Sequence, residues 1–374
     1  MGYWMYDAEK KQESIDKKKT ESIDLPETGF LSSIHIRIAA KNGGTSNEDN
    51  HLHDCLTKIE VTGAGGRTYK STSGVQCQSL NWFDQGYKSW NQMTEWASGW
   101  NIETFIVNFG KHFMDTEHML DCAKVINGKL RLTWNLEEVR TIGATGYLGT
   151  EQQMDVLYIM PHEYKGPTPK NYIKSTETEA WTSAASGIEP VKLPRNNPIR
   201  RVMVRAWESG ISPAATIKNL KIDADNGKLV PYDNTLGKLK DLNAIWYPIA
   251  YNYLNDIWAK EDDTKEIHLA YSHDTSVEAV DAPRITRDKD EIYGKVIIGV
   301  TDHAGVPIAV EEKLQLRAIG YGYHNCFMFP FDKPEWKEEL LLQAQTFGKL
   351  DLEVTQGNAG GAISIVTEEI APNV

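Results

Sequence analysis

Cysteine is scarce and unpatterned: Cys55, Cys77, Cys122 and Cys326 form no C-x-x-C pair and share no regular spacing. A disulfide framework and a zinc ribbon are therefore not expected, and the four thiols read as ordinary small, buried residues. No stretch approaches the roughly 18 apolar residues of a membrane-spanning helix. The first residues lack the basic-then-apolar order of a signal peptide, so a chain made and kept in soluble form is expected. Met1-Gly2 opens like a myristoylation signal, but Tyr6 stands where that signal needs Ser or Thr, and there is no N-x-[ST] sequon. Positive charge is in deficit, with 40 Lys and Arg against 52 Asp and Glu and a formal charge of −12. A surface that wraps nucleic acid by neutralising phosphates, and direct sequence-specific contact with bases, are not expected.

Chemical motifs are missing as well. G-x-S-x-G, H-E-x-x-H and G-K-[ST] do not occur, and Gly63-x-Gly65-Gly66 lies between two strand-like runs rather than before a helix. His51-Leu52-His53-Asp54-Cys55 offers several metal ligands, and on a strand His51, His53 and Cys55 would share one side. No second cluster completes a shell, so the segment reads as a polar loop leading into a strand. His112 and His118 flank Asp115 and Glu117 with nothing to fix them as a pair, and Asp223-Ala224-Asp225-Asn226-Gly227 is a turn rather than a calcium loop. Catalytic, cofactor and metal residues are accordingly expected to be none, and the chain is expected not to be an enzyme.

What the chain does have is repetition. The segment Leu25–Ile38 recurs without a gap 168 positions later as Leu193–Ala206. Leu25, Pro26, Leu31, Ile34, Ile36, Arg37 and Ile38 fall on Leu193, Pro194, Ile199, Val202, Val204, Arg205 and Ala206. Alternation at Ile34, Ile36 and Ile38 is the period of a strand with one buried face. A hairpin follows in each copy, Leu56–Val61 to Tyr69 through glycines and Ile217–Ala224 to Val230 through Asp-Asn-Gly. Phe105-x-x-x-Phe109 then matches Phe327-x-x-x-Phe331, and Gly128-Lys129-Leu130 matches Gly348-Lys349-Leu350. The last strands are expected at Met154–Met160 and Ala362–Thr367. The pattern predicts an arm over residues 1–24, a first all-β unit over 25–165, a linker over 166–190, and a second unit over 191–374 with a long insertion around 255–320. Helices are expected only at Trp90–Ser98, in part of Asn243–Lys260, and at Pro334–Gln345.

Three polar or aromatic sets stand out. Tyr3, Trp4 and Tyr6 tip the arm and suit contact with a neighbour or a lipid surface. Arg37 and Arg205 alternate outward at the same point of the repeat, where they suit carboxylates at a sheet edge or a subunit boundary. Trp82, Trp90, Trp96 and Trp100 lie within nineteen residues, and stacking on sugar rings is the alternative function they suggest.

Ile23-Asp24-Leu25-Pro26, the K-I-E-V hairpin closing on G-G-R (Lys58–Arg67), and F-x-x-x-F-G followed by D-x-E-x-M-L and K-L-R-L (Phe105–Leu132) together resemble the double jelly-roll major capsid proteins of the adenovirus and tectivirus lineage. The resemblance covers nearly the whole chain. It implies two tandem eight-stranded jelly-roll sandwiches with a few short helices in loops, and three chains forming a pseudo-hexameric homotrimer that tiles an icosahedral shell. The implied partners are the chain itself, neighbouring capsomers, minor capsid or penton proteins, and an internal lipid membrane near the N-terminal arm. The implied location is the virion capsid, assembled in the host cytoplasm.

Overall fold

The computed structural model describes all residues except 1, 45–50, 87–88, 93–97, 138–145, 148–150, 209–210, 248–249, 260–264, 269–270, 280–284, 288–294, 301–311, 334–336 and 374, and for 250–321 it describes the backbone alone. The first sandwich is built from β1 (Tyr3–Ser14), β2 (Lys18–Asp24), β3 (Ser33–Lys41), β4 (Leu56–Thr62), β5 (Thr68–Thr72), β6 (Trp100–Asn108), β7 (Lys129–Asn135) and β8 (Gln153–His162). The second repeats them in order as β9 (Asn171–Thr182), β10 (Gly187–Lys192), β11 (Ile199–Trp207), β12 (Ile217–Ala224), β13 (Leu229–Thr235), β14 (Cys326–Pro330), β15 (Leu350–Gln356) and β16 (Ala362–Pro372). The sheets run β1-β8-β3-β6 over β2-β7-β4-β5, and β9-β16-β11-β14 over β10-β15-β12-β13. Every strand of one sandwich has its counterpart eight places later, so the chain is a double jelly roll.

Burial explains the alternation. Ile34, Ile36 and Ile38 are fully buried in one core with Leu130, Leu132 and Trp134, and Val202, Val204 and Ala206 in the other with Leu220, Leu352 and Ile365. Trp134 keeps its polar handle satisfied by donating Nε1–H to the Asp16 carbonyl at 2.7 Å. All four cysteines are free and buried. The hairpin turn of the second unit holds Asp225, Asn226 and Gly227 at φ of 52°, 57° and 86°, and the Asp223 and Asp225 carboxylates accept from the backbone of Gly227, Gly348 and Lys349. No cation is needed to explain those acids.

Four expectations change. The arm at 1–24 is two strands: β1 pairs along β8 from Tyr3 to Ser14, and β2 pairs along β7. Its charged sequence is that of sheet edges, where both faces of much of the strand meet solvent. The linker at 166–190 is likewise β9 and the start of β10. The ladders place Leu130 opposite Val61 and Leu352 opposite Ile222, so the Gly128–Gly348 correspondence runs two residues out of register. A two-residue slip keeps every side chain on its face, which is why the pattern hid it.

Helices differ most. One-turn α1 (Leu52–Cys55) and α3 (Pro213–Thr216) precede β4 and β12, and α2 (Gly74–Gln85) and α4 (Leu236–Trp246) follow β5 and β13. The helix expected within 243–260 ends at Trp246 and gives way to a strand at Ala250–Ala259; of the helix expected at Pro334–Gln345, residues 334–336 lie outside the described residues and the rest carries 3₁₀ turns at Glu338–Leu340 and Ala344–Thr346. At 90–98, Asn91–Gln92 is a short strand and 93–97 lie outside the described residues. The long insertion carries strands from Ala250 to Tyr323 that form two three-stranded sheets of their own, outside both sandwiches. No helix among the described residues is long and apolar enough to cross a membrane.

Candidate functional site

The two sandwiches meet where β5 of the first runs parallel to β9 of the second, Lys70 and Ser71 opposite Ser175 and Thr176, making one continuous eight-stranded sheet. Helix α2 lies in this seam. Ser73 caps it by accepting from Gln76 N–H while the Gln76 side chain accepts from Ser73 N–H, and Gly86 closes it at φ 72°. Gly74 is required because a Cβ there would stand 2.7 Å from the His53 carbonyl. Trp82 is 3% exposed and packs in the seam against Phe83, Tyr247 and Tyr323.

A chain of buried charges crosses the seam. Lys70 Nζ donates to Ser175 Oγ at 2.8 Å, and Ser175 Oγ donates to Glu368 Oε1 at 2.6 Å. Arg201 Nε donates to Glu368 and its Nη2 lies 2.9 Å from Asp84. Arg200 reaches Asp84 at 2.9 Å, Asp332 at 2.8 Å and Glu368 at 3.2 Å. Three cations thus face three carboxylates, all nearly excluded from solvent, contributed by β5 and α2 on one side and β11, β16 and the segment after β14 on the other, with Ser175 of β9 bridging Lys70 to Glu368. Burial brings the Lys70 ammonium down to about 8 against the pull of Glu368 and Asp84. For Glu368 burial works upward, but Arg201, Arg200 and Lys70 outweigh it and hold the carboxyl at about 2.

A depressed carboxyl stabilises the fold above its ordinary range and loses that contribution as pH falls towards the folded value. For Glu368 the shift from 4.5 to about 2 corresponds to about 3 kcal/mol at neutral pH, lost between roughly pH 5 and 2. Unfolding free energy measured against pH is expected to drop through that window. Glu368→Gln is expected to lower the neutral plateau and flatten the acid slope; an unchanged slope would remove Glu368 from the account.

A second polar cluster sits at the same seam. Glu103 of β6 holds its two carboxylate oxygens 3.0 and 2.9 Å from His53 Nδ1 of α1. Gln78 of α2 donates to Glu103 at 3.0 Å and pairs its oxygen with His324 Nε2 at 2.8 Å, so a residue of the second unit closes the network. The rings of His51 and His53 are 4.9 Å apart, and those of His53 and His324 are 4.3 Å apart. Burial raises the Glu103 carboxyl, yet the facing His53 outweighs it and the group lies below its ordinary range. Sequence reasoning singled out His51 and His53 but read their segment as a polar loop leading into a strand; the one-turn helix α1 turns His53 towards Glu103, which no local pattern linked to it.

The residues marked in advance are scattered. Arg37 lies on β3, an interior strand, and pairs with its cross-strand neighbour Asp155 at 2.7 Å. Arg205, on interior β11, donates to the His324 carbonyl at 3.2 Å and covers the Trp207 ring. Neither is at a sheet edge, because the repeat they share is the central strand of each sheet. Tyr3 and Tyr6 are 61% and 55% exposed on edge strand β1, with Trp4 half-buried between them. Of the clustered tryptophans Trp82 is buried, Trp90 is exposed, Trp100 lies under Lys41, and Trp96 is outside the described residues. Trp82 cannot stack on a sugar. In the short charged loop Asp115–His118 burial pushes the Asp115 carboxyl up, but the facing His118 side chain and the N–H groups of Lys111 and Glu117 outweigh it and hold it at about 2.

The duplicated counterpart of the charged seam is neutral. Arg200 and Arg201 correspond to Ser32 and Ser33, and the ladder partner of Arg201, Glu368, corresponds to Ile159 beside Ser33.

No family model and no curated protein matches the chain. Solved structures do. The MCP of STIV, the Sulfolobus Turreted Icosahedral Virus, has a TM-score of 0.60 at 11% identity, over 99% of this chain and 98% of that one. The PBCV-1 virus capsid has 0.54 at 10%, over 99% and 94%. The major capsid protein of bacteriophage PM2 has 0.50 at 10%, over 99% and 98%. At these identities the likeness is one of fold.

Proposed function

We propose that this chain is a major capsid protein, a structural unit rather than an enzyme, and that three copies close into a pseudo-hexameric capsomer of an icosahedral virion. The likeness in fold to viral capsid proteins supports this reading. The observation that carries it is a matched pair of open edges. Within the chain β5 is joined to β9; their counterparts β13 and β1 each pair on one side only, at the far ends of their sheets. Following the ladders, Lys70 and Ser71 correspond to Tyr232 and Asp233, and Ser175 and Thr176 correspond to Tyr6 and Asp7.

An unpaired strand edge with apolar side chains invites pairing. Leu229, Val230 and nearby Ile245 are 44%, 38% and 74% exposed on one edge, and Tyr3 and Tyr6 line the other. Setting β13 of one chain against β1 of the next repeats the internal seam between chains. Such a contact is head-to-tail and closes as a ring; three chains of two sandwiches give six similar sides, the number that fills a plane of hexagons. In this reading the aromatic tip of β1 contacts a neighbouring chain, and penton proteins and an enclosed lipid membrane are the remaining partners in a virion built in the host cytoplasm.

Sedimentation of the purified protein is expected to give a species of three 42.1 kDa chains, with hexagonal outlines in negative stain. A monomer at every concentration tested would overturn the proposal.

A further inference from the structure

We propose that His51, His53 and Glu103 bind a divalent transition-metal ion of the zinc class, at the seam between the two sandwiches and independently of how the chains assemble. One ligand atom from each lies within 4.8 Å of the other two, and the three residues are 5%, 8% and 3% exposed. The convergence is built by packing. Leu52, 1% exposed, anchors α1 in the core between the two histidines, and Gly74 lets α2 close on the His53 carbonyl from the other side. Glu103 is carried by β6, an element with regular ladder pairing to β3. The site therefore needs small side-chain shifts to contract around an ion at about 2.0–2.2 Å, not a rearranged backbone.

The donor set names the class of ion. Two imidazoles and one carboxylate suit Zn²⁺ and its late first-row neighbours, whereas Ca²⁺ and Mg²⁺ require a majority of oxygen ligands. Support from the surrounding residues is in place. Gln78 donates to Glu103 Oε2 at 3.0 Å, and Asp54 Oδ2 lies 3.5 Å from His53 Nε2, so a carboxylate or amide orients each of these two ligands. His324, its ring tilted against that of His53 and held by Gln78 at 2.8 Å, brings the root of the insertion onto the same site. An ion here ties α1 to β6 and fixes the surface on which the second unit rests.

The test uses the full chain, stripped with a chelator and titrated with ZnCl₂ by calorimetry and with CoCl₂ by visible absorption. One ion per chain is expected, with Co²⁺ ligand-field bands and a raised thermal midpoint. His51→Asn and Glu103→Gln are each expected to weaken Zn²⁺ binding by about 100-fold or more, since even outer-shell losses cost 10–100-fold. His112→Asn, at an exposed histidine elsewhere, is expected to leave it unchanged. Because Glu103→Gln also removes a buried ion pair, the Co²⁺ spectrum of the unaltered protein decides if that variant misfolds. No stoichiometric binding of either ion, or binding that His51→Asn leaves intact, overturns the proposal.

Discussion

Arg201→Met is expected to lower the unfolding free energy by about 3–5 kcal/mol, the usual cost of leaving a buried charge without its partner. Arg201 is 1% exposed, and it supplies contacts to both Glu368 and Asp84. Methionine fills much of the same volume but leaves two desolvated carboxylates to Arg200 and Lys70. Arg37→Met removes an arginine from the matching strand of the first unit, yet Arg37 and Asp155 keep side-chain exposures of 25% and 19%, and about 1 kcal/mol or less is expected there. Urea midpoints at constant slope measure both. Should Arg201→Met fall within about 1 kcal/mol of the unaltered chain, the charged seam is not what couples the units.

Tyr6→Lys combined with Val230→Lys is expected to convert the proposed trimers to monomers while leaving the chain folded. Both side chains are more than a third exposed, 55% and 38%, so neither substitution disturbs a core. Lysine is also what natural edge strands carry to refuse partners. Each contact between chains would then have to desolvate two ammonium groups. At about 2 kcal/mol or more per contact, each association constant falls about thirty-fold. Ile126→Lys, at a 68% exposed residue remote from both edges, serves as the control. Sedimentation equilibrium reads the outcome directly, and a double variant that remains trimeric refutes the β13–β1 contact without touching the fold.

The central strands were legible because one face of each is wholly apolar: Ile34, Ile36 and Ile38, then Val202 and Val204, repeat at the period of a sheet. Edge strands were not. β1 and β2 carry Lys, Glu or Asp at about half of their positions and bury few residues, Lys10, Ile15 and Ile23 nearby among them, so no alternation survives to be read. Helix α2 had end signals in plain view, Ser73 with Gln76 at one end and Gly86 at the other. Its body defeats the usual test, because ten successive residues from Gly74 to Phe83 are buried, and a helix buried on all sides needs no polar stripe. Glu103 joins His53 across fifty residues, a distance at which only the fold brings side chains together. The long insertion was visible as a mismatch between the copies, since strands without counterparts cannot be absorbed into a repeat.

The neutral counterpart of the charged seam has a consequence for timing. Lys70, Arg200, Arg201, Asp84, Asp332 and Glu368 shed their water against partners on the same polypeptide, where a tether keeps the two halves at high effective concentration and the contact forms once. Their counterparts in the first unit, around Ser33 and Ile159, are just as buried but carry no charge, and make no such demand. The full desolvation of paired ions is thus confined to contacts within one polypeptide, and the contact proposed between chains is left to exposed residues such as Tyr6 and Val230, a shallow encounter that can be undone and tried again.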